Sequence, residues 1–178
     1  ERGFELPDFR REALRLLEQA LKCPLPVVLD ADALNLLATD GRLEGNLYNR
    51  IAPAVMTPHP AEAARLLGVS VREVQNDRVA AARALADRYR CCIALKSCGT
   101  VIATPDGRWW INTSGNPGMA SAGMGDVLTG LVLGLLAQGW PAEAALIAGV
   151  HLHGAAADAL VAAGTGPAGL TAGEVIDS

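Results

Sequence analysis

Aromatic residues and clusters of like charge are scarce in this sequence. Of its 178 residues, 4% are aromatic and 19% are charged, and the formal net charge is −4. A surface that neutralises nucleic-acid phosphates needs clustered lysines and arginines, and the sequence has no dense basic run. We therefore expect no nucleic-acid partner.

Paired cysteine motifs are also missing. Cys23 and Cys98 stand alone and Cys91 and Cys92 are adjacent, so the sequence contains no CxxC pair. Neither a zinc site nor a redox pair is indicated. Adjacent residues of a strand face opposite sides, so we expect Cys91 and Cys92 to point to different faces. Reduced thiols are typical of the cytoplasm, where we expect the protein to reside.

Apolar stretches are present, but none is typical of a membrane span. Residues 127–137 are shorter than the ~20 apolar residues that a span needs, and residues 144–163 contain two histidines and an aspartate. No apolar signal segment follows the first residues. With 51% hydrophobic residues, the sequence can fold as one domain over residues 1–178.

Strand and helix patterns alternate along the chain. The predicted strands are residues 26–30, 54–56, 91–96, 100–103 and 108–112. The helices are predicted to end near Lys22, Leu67, Tyr89, Ala137 and Ala163. This alternation predicts an α/β domain with a mostly parallel sheet and helices on both faces. Ligands of such sheets bind beyond the carboxyl ends of the strands.

Several helix starts are predicted from capping residues. Ser70 with Glu73, and Thr171 with Glu174, have the spacing of capping boxes. Asp32 is expected to cap the helix that follows the first strand.

A glycine-rich segment, residues 115–126, carries the strongest functional signal. It reads GNPGMASAGMGD, and an apolar helical pattern follows directly. Glycines let backbone N–H groups approach an anion, and the start of a helix adds unpaired N–H groups and a partial positive charge. Asp126 is well placed to accept a proton from a hydroxyl that attacks a phosphate. A tight turn with Asp126 as a plain N-cap explains the same residues.

Two familiar phosphate loops do not fit this segment. Gly118 and Gly123 have the Walker spacing, but Met124 and Gly125 stand where Lys and Ser/Thr are required. No strand–GxGxxG–helix unit with a downstream acid is present either.

Three more polar residues lie at or just beyond the ends of predicted strands. Lys96 is a natural phosphate contact, or else a solvated side chain before a turn. His59 lies between two prolines at the mouth of a helix, with a ligand role and a structural role equally open. Asp30 has the chemistry to meet a metal–phosphate group, or to serve a turn. Because parallel strands end at one edge, we expect the three to lie together.

Taken together, these segments resemble the NAD(P)H-hydrate dehydratases. These are ribokinase-like repair enzymes that also form the C-terminal half of YjeF-type bifunctional proteins. The resemblance covers about Leu14 to Ile176. It rests on four segments in the order and spacing of the family: residues 30–35, 57–62, 96–100 and 116–130. The family uses ADP or ATP to phosphorylate the hydroxyl of a hydrated nicotinamide ring, and loss of phosphate then restores NAD(P)H. With ADP as donor, AMP is released.

The resemblance also implies roles for individual residues. Asp126 is the implied base facing the hydrate, and His59 the implied contact to the same substrate. The implied nucleotide contacts are Lys96, Ser97, Cys98, Gly99, Thr100, Gly123 and Gly125. No metal ion held by side chains is implied, and Mg²⁺ would accompany the nucleotide phosphates.

Two departures from the family pattern stand out. Ser97 occupies a position that is usually glycine in the Lys-Gly-x-Gly-Thr run, and a positive φ there would strain a serine. The family domain also begins further upstream, with strands and a Gly-Leu-Gly segment that touches the hydrate. We therefore expect the N-terminal strands of the domain to be missing from this chain. An epimerase domain upstream in the full-length protein is one arrangement that the resemblance allows.

Two alternative functions remain open. A small-molecule kinase of the same superfamily, acting on a sugar or a thiamine-precursor alcohol, would share the glycine loop and Asp126 but would not need residues 57–62. An inactive nucleotide-binding fragment is the second alternative. Trp109 and Trp110 are adjacent on a predicted strand, so one faces outward, where it suits an oligomer contact. We expect a homo-oligomer, for instance a tetramer.

Overall fold

The computed structural model describes residues 6–178. Its strands form one sheet: Val27–Leu29 (β1), Ala54–Met56 (β2), Cys92–Leu95 (β3), Val101–Ala103 (β4) and Trp109–Ile111 (β5). Strand order in the sheet follows chain order, β1-β2-β3-β4-β5. β1, β2 and β3 run parallel, whereas β3, β4 and β5 are antiparallel neighbours. The predicted α/β class is confirmed, with a sheet that is mixed because a hairpin follows the parallel strands.

Helices cover both faces of this sheet. Those that precede β3 are Leu6–Lys22 (α1), Asp32–Leu37 (α2), Gly41–Tyr48 (α3), Pro60–Leu67 (α4), Val71–Asn76 (α5) and Arg78–Tyr89 (α6). Those that follow β5 are Met124–Ala137 (α7), Ala142–Ala162 (α8) and Ala172–Asp177 (α9), after a short 3₁₀ turn at Pro117–Met119.

The alternation of side chains along the strands divides the core into two. Met56 and Ile93 pack with the earlier helices, whereas Val55 and Ala94 pack with α7 and α8. The adjacent cysteines follow the same rule: Cys91 lies in the first core and Cys92 in the second. Burial raises the pKa of both thiols, that of Cys92 to about 11.

Capping side chains explain several helix starts. The capping boxes predicted at Ser70 and Thr171 are both formed, at α5 and α9. The prediction for Asp32 was wrong. Asp32 is the first residue of α2, and the cap position is taken by Ala31, with φ 49° and no side-chain cap. The helix α3 was not predicted, and it begins where the Asp40 side chain accepts a hydrogen bond from the backbone N–H of Arg42.

The two tryptophans of β5 face opposite ways, as expected. Trp109 is 46% exposed. Trp110 packs against the second core, and the Arg108 guanidinium lies 5.4 Å from its ring centroid.

The helix α8 is long and apolar enough to cross a membrane by length and composition alone. Within the domain, however, its Leu146 and Val150 are buried in the second core, and Ala157 is buried beside α7 and α9. We therefore interpret α8 as a core helix.

Candidate active site

The ends of β1 and β3 bring two charged side chains together. The Lys96 ammonium lies 2.6 Å from the Asp30 carboxylate, and both side chains are largely shielded from solvent. The Thr129 hydroxyl, on α7, donates to the other carboxylate oxygen of Asp30 over 3.4 Å. The sequence prediction that Asp30 and Lys96 meet at one sheet edge is therefore confirmed.

Gly125 places the start of α7 directly over this pair. A Cβ at position 125 would lie 3.2 Å from a carboxylate oxygen of Asp30 and 3.5 Å from Nζ of Lys96. The second distance is an ordinary contact, but the first is tight, so a side chain at position 125 would require the Asp30 carboxylate to shift by a few tenths of an ångström. The strand ends and the glycine loop thus form one site.

The start of α7 carries no side-chain cap. Its N-cap is Gly123, with φ 87°, and no side chain of the described chain bonds the first N–H groups of the helix. Asp126 lies in this first turn and is exposed. The open N–H groups and the partial positive charge of a helix start favour an anion here. A carboxylate at the same place can accept a proton from a group held beside that anion.

A compact turn follows Lys96. The Thr100 hydroxyl donates to the carbonyl of Ser97 over 3.2 Å, and Arg78 donates to the carbonyls of Cys98 and Gly99. Gly99 has φ 68°, the left-handed region that glycine favours.

Ser97 is not strained in this turn. Among the described non-glycine residues, only Ala31 and Arg90 have positive φ. The departure from the family pattern at position 97 therefore carries no backbone penalty.

His59 caps α4. Its Nδ1 accepts hydrogen bonds from the backbone N–H groups of Ala61 (3.1 Å) and Glu62 (3.4 Å). The buried Glu62 carboxylate accepts from the His59 backbone N–H and lies 3.3 Å from its Nε2. The imidazole is nonetheless half exposed. The carbonyl of the preceding residue, Pro58, accepts a hydrogen bond from the backbone N–H of Lys96 over 2.8 Å. His59 thus has a structural role and stands next to the strand end that carries Lys96.

A role for Asp158 was not anticipated from the sequence. Its carboxylate, on α8, accepts from the backbone N–H of Gly115 (2.7 Å) and from the side-chain amide of Asn116 (3.0 Å). Gly115 and Asn116 lie 43 and 42 positions before Asp158 in the chain, so no local sequence pattern could reveal these contacts.

A groove of about 880 Å³ runs from this site between α7, α8 and α9. Asp126 and Gly123 line one end, and Leu131, Leu135 and His153 line its apolar length. Burial holds the pKa of His153 below its usual 6.5, so this side chain is neutral near pH 7. The groove offers space for a largely apolar group next to the Asp126 carboxylate.

The described residues hold no cluster of three or more side chains suited to a metal ion. Asp30 is the carboxylate under the start of α7. Mg²⁺ commonly uses one or two carboxylates together with substrate phosphates and water. The donor set therefore fits a magnesium ion that arrives with a nucleotide.

Residues 8–177 match the family model Carb_kinase, described as NAD(P)H-hydrate dehydratase. The chain belongs to this family. An ADP-dependent (S)-NAD(P)H-hydrate dehydratase of Neisseria meningitidis is 51% identical over 150 residues, which is 84% of this chain and 50% of the relative. The bifunctional NAD(P)H-hydrate repair enzyme Nnr of Escherichia coli is 45% identical over 90% of this chain and 29% of its own length.

Solved structures agree with this assignment. The ADP/ATP-dependent NAD(P)H-hydrate dehydratase of Bacillus subtilis, co-crystallised with ATP and Mg²⁺, superposes with a TM-score of 0.76 at 37% identity. The match covers 88% of this chain and 53% of that one. The predicted dehydratase resemblance and ribokinase-like fold are confirmed. This chain spans about half the length of the Neisseria and Bacillus dehydratases that it matches, and a smaller share of the bifunctional enzymes.

Proposed function

We propose that the protein restores hydrated NAD(P)H to NAD(P)H with ADP as the phosphoryl donor. The main support is the meeting of Lys96, Gly125 and the uncapped start of α7, with Asp126 in the same turn. Phosphate groups are commonly bound by cationic and N–H donors of this kind, and a base beside them can activate the attacking hydroxyl in phosphoryl transfer. The names of the relatives favour dehydration over the alternative of a sugar or vitamin-precursor kinase.

The proposed reaction has two steps. Asp126 accepts the proton of the ring hydroxyl while that oxygen attacks the terminal phosphorus of ADP, and the bond from that phosphorus to the bridging oxygen breaks to release AMP. The ring then carries a phosphate ester, a far better leaving group than hydroxide. Loss of inorganic phosphate and of a ring proton leaves the double bond of NAD(P)H. His59 is proposed to contact the hydrated nicotinamide.

The nucleotide is proposed to lie across two segments. Lys96, Ser97, Cys98, Gly99 and Thr100 form the turn at the end of β3, and Gly123 with Gly125 offers backbone at the start of α7. Lys96 would leave Asp30 to bind phosphate oxygens, or would bind Asp30 and a phosphate oxygen at the same time. Mg²⁺ would be held by Asp30 and the phosphates, where its charge offsets theirs.

Further properties of the whole protein are proposals on the same basis. We place it in the cytoplasm, in line with four free cysteines. We also propose a homo-oligomer, such as a tetramer, in which the exposed Trp109 is a contact. Fusion to an epimerase domain and the choice between ADP and ATP stay predictions.

The direct test is recovery of NADH from its hydrate. The protein is incubated with hydrated NADH, Mg²⁺ and ADP, and the return of NADH absorbance is followed while AMP is measured. We expect one AMP for each NADH, and no recovery when ADP is omitted. Turnover of a sugar or thiamine-precursor alcohol without NADH recovery would contradict the proposal.

Cysteine labelling tests the nucleotide position independently of turnover. Cys98 and Cys23 are both exposed, but only Cys98 lies in the proposed nucleotide turn. We expect saturating ADP to slow maleimide labelling of Cys98 and to leave labelling of Cys23 unchanged. Equal rates for Cys98 with and without bound ADP would place the nucleotide elsewhere.

A further inference from the structure

The first half of the glycine loop is fixed to the long helix α8 by one carboxylate. Both oxygens of Asp158 are used, one by the backbone N–H of Gly115 and the other by the side-chain amide of Asn116. The amide oxygen of Asn116 in turn accepts from the backbone N–H of Gly118 over 3.0 Å. Three hydrogen bonds thus run from α8 into the loop in a single series.

Close backbone packing accompanies this series. A Cβ on Gly154, one turn before Asp158 on α8, would collide with the Ser114 hydroxyl oxygen and would lie 2.8 Å from the Gly115 nitrogen. A Cβ on Gly118 would collide with the carbonyl oxygen of Pro167. The loop therefore touches α8 and the chain before α9 with no room for a side chain.

Only residues 120–123 separate this fixed part from the start of α7. A shift of the loop would therefore reach Gly123, Gly125 and Asp126 over a very short length of chain. Displacement of a catalytic group by about 1 Å can cost roughly 100-fold in rate.

We infer that Asp158 is a positioning residue, which sets the place of Asp126 and of the N–H groups of α7 by holding the glycine loop on α8. The inference rests on the proposed function. It assigns Asp158 no contact with substrate or nucleotide.

Exchanging the two side chains tests this series of hydrogen bonds. Each single substitution should break it, and the two substitutions together should restore it. In Asp158→Asn, an amide N–H₂ faces the N–H₂ of Asn116, so one bond of the series is lost. In Asn116→Asp, two carboxylates face each other. In the double variant Asp158→Asn/Asn116→Asp, residue 158 accepts from Gly115 and donates to residue 116, which still accepts from Gly118. All three bonds are restored with one of them reversed in direction.

The test measures kcat/KM for hydrated NADH and hydrogen exchange of residues 113–123 in all four proteins. We expect each single variant to lose roughly 10- to 100-fold in kcat/KM and to exchange faster in this segment. The double variant should recover to within a few-fold of the unmodified protein in both measurements. Thermal unfolding checks that every variant is folded at the assay temperature.

Two results would overturn the inference. One is a folded Asp158→Asn protein with unchanged kcat/KM and unchanged exchange. The other is a double variant no better than the single variants. If the unmodified protein does not restore NADH, the proposed function fails, and hydrogen exchange still decides whether Asp158 holds the loop.

Discussion

Two helix starts beside the same sheet edge are built in opposite ways. At α4, the imidazole of His59 occupies the first N–H groups of the helix, and the buried Glu62 carboxylate closes the box. At α7, the N-cap is Gly123 and no side chain of the described chain takes that place.

The contrast shows which helix start has backbone N–H groups left to bind a ligand. A capped start is stabilised by its own residues, by about 1 kcal/mol per cap, and has little left for a ligand. An uncapped start forgoes that stabilisation and keeps N–H donors free. The cation that would complete an anion site, Lys96, lies under α7 and is itself held by Asp30.

The largest effect is expected from Asp126→Asn at the open start. General-base catalysis typically contributes 10²- to 10⁴-fold, so we expect kcat for NADH recovery to fall by about that factor. Asp126 makes no side-chain hydrogen bond or ion pair within the described chain and loses only its attraction to the helix start, so the free energy of unfolding should fall by less than about 1 kcal/mol. Calorimetry should give an unchanged Kd for ADP. If kcat of the variant stays within about threefold of the unmodified protein, Asp126 is not the catalytic base.

A smaller effect is expected from Gly125→Ala. The added Cβ would lie 3.2 Å from the Asp30 carboxylate, which would have to shift beside its partner Lys96. We expect this shift to weaken ADP binding by about 1 kcal/mol, which is a rise of about fivefold in Kd, as calorimetry would measure.

Gly134→Ala is the matched control on the same helix. Gly134 is exposed and a Cβ there meets nothing within 4 Å. This variant should bind ADP normally and gain about 0.5–1 kcal/mol in unfolding free energy. Equal ADP binding by both variants would show that the site does not need a bare backbone at position 125.

The smallest effect is expected at the closed start, where two substitutions separate capping from substrate contact. Asn is a good N-cap, so His59→Asn should keep the unfolding free energy within about 0.5 kcal/mol, whereas His59→Ala should lose about 1 kcal/mol. If His59 contacts the hydrate, both raise KM to a similar extent in the NADH-recovery assay.

Ser70→Ala is the control for the closed start, because Ser70 closes a similar box at α5. It should lose about 1 kcal/mol in chemical denaturation and leave KM unchanged. A normal KM in His59→Asn would reduce His59 to a cap.

Local chemistry made much of this molecule predictable. Ser70 with Glu73 and Thr171 with Glu174 satisfy helix N–H groups within four residues, so the sequence pattern contains the whole interaction. The meeting of Asp30 and Lys96 followed from a topological rule, since parallel strands end at one edge.

The failures have a physical reason as well. Asp32 was mistaken for a cap because a carboxylate just inside a helix start has the same sequence pattern as one just before it, and only the backbone of Ala31 separates the two. Asp158 was missed because its partners lie more than 40 positions away. Whether Asp126, His59 and the nucleotide turn act as proposed depends on a ligand, and that stays a prediction.

The order of the strands has a consequence for how the protein is made. Each strand pairs with the one synthesised just before it, so the sheet can grow in step with translation. The contacts of the site form in a different order from the strand pairs. Lys96 lies 66 residues after Asp30 and Thr129 lies 99 residues after it, so the second of these side-chain contacts can form only after α7 has been synthesised. A chain interrupted before α7 would hold all five described strands and the Asp30–Lys96 pair, but it would lack Gly125, Asp126 and Thr129. Under the proposed function, NADH recovery would therefore report whether α7 has been made.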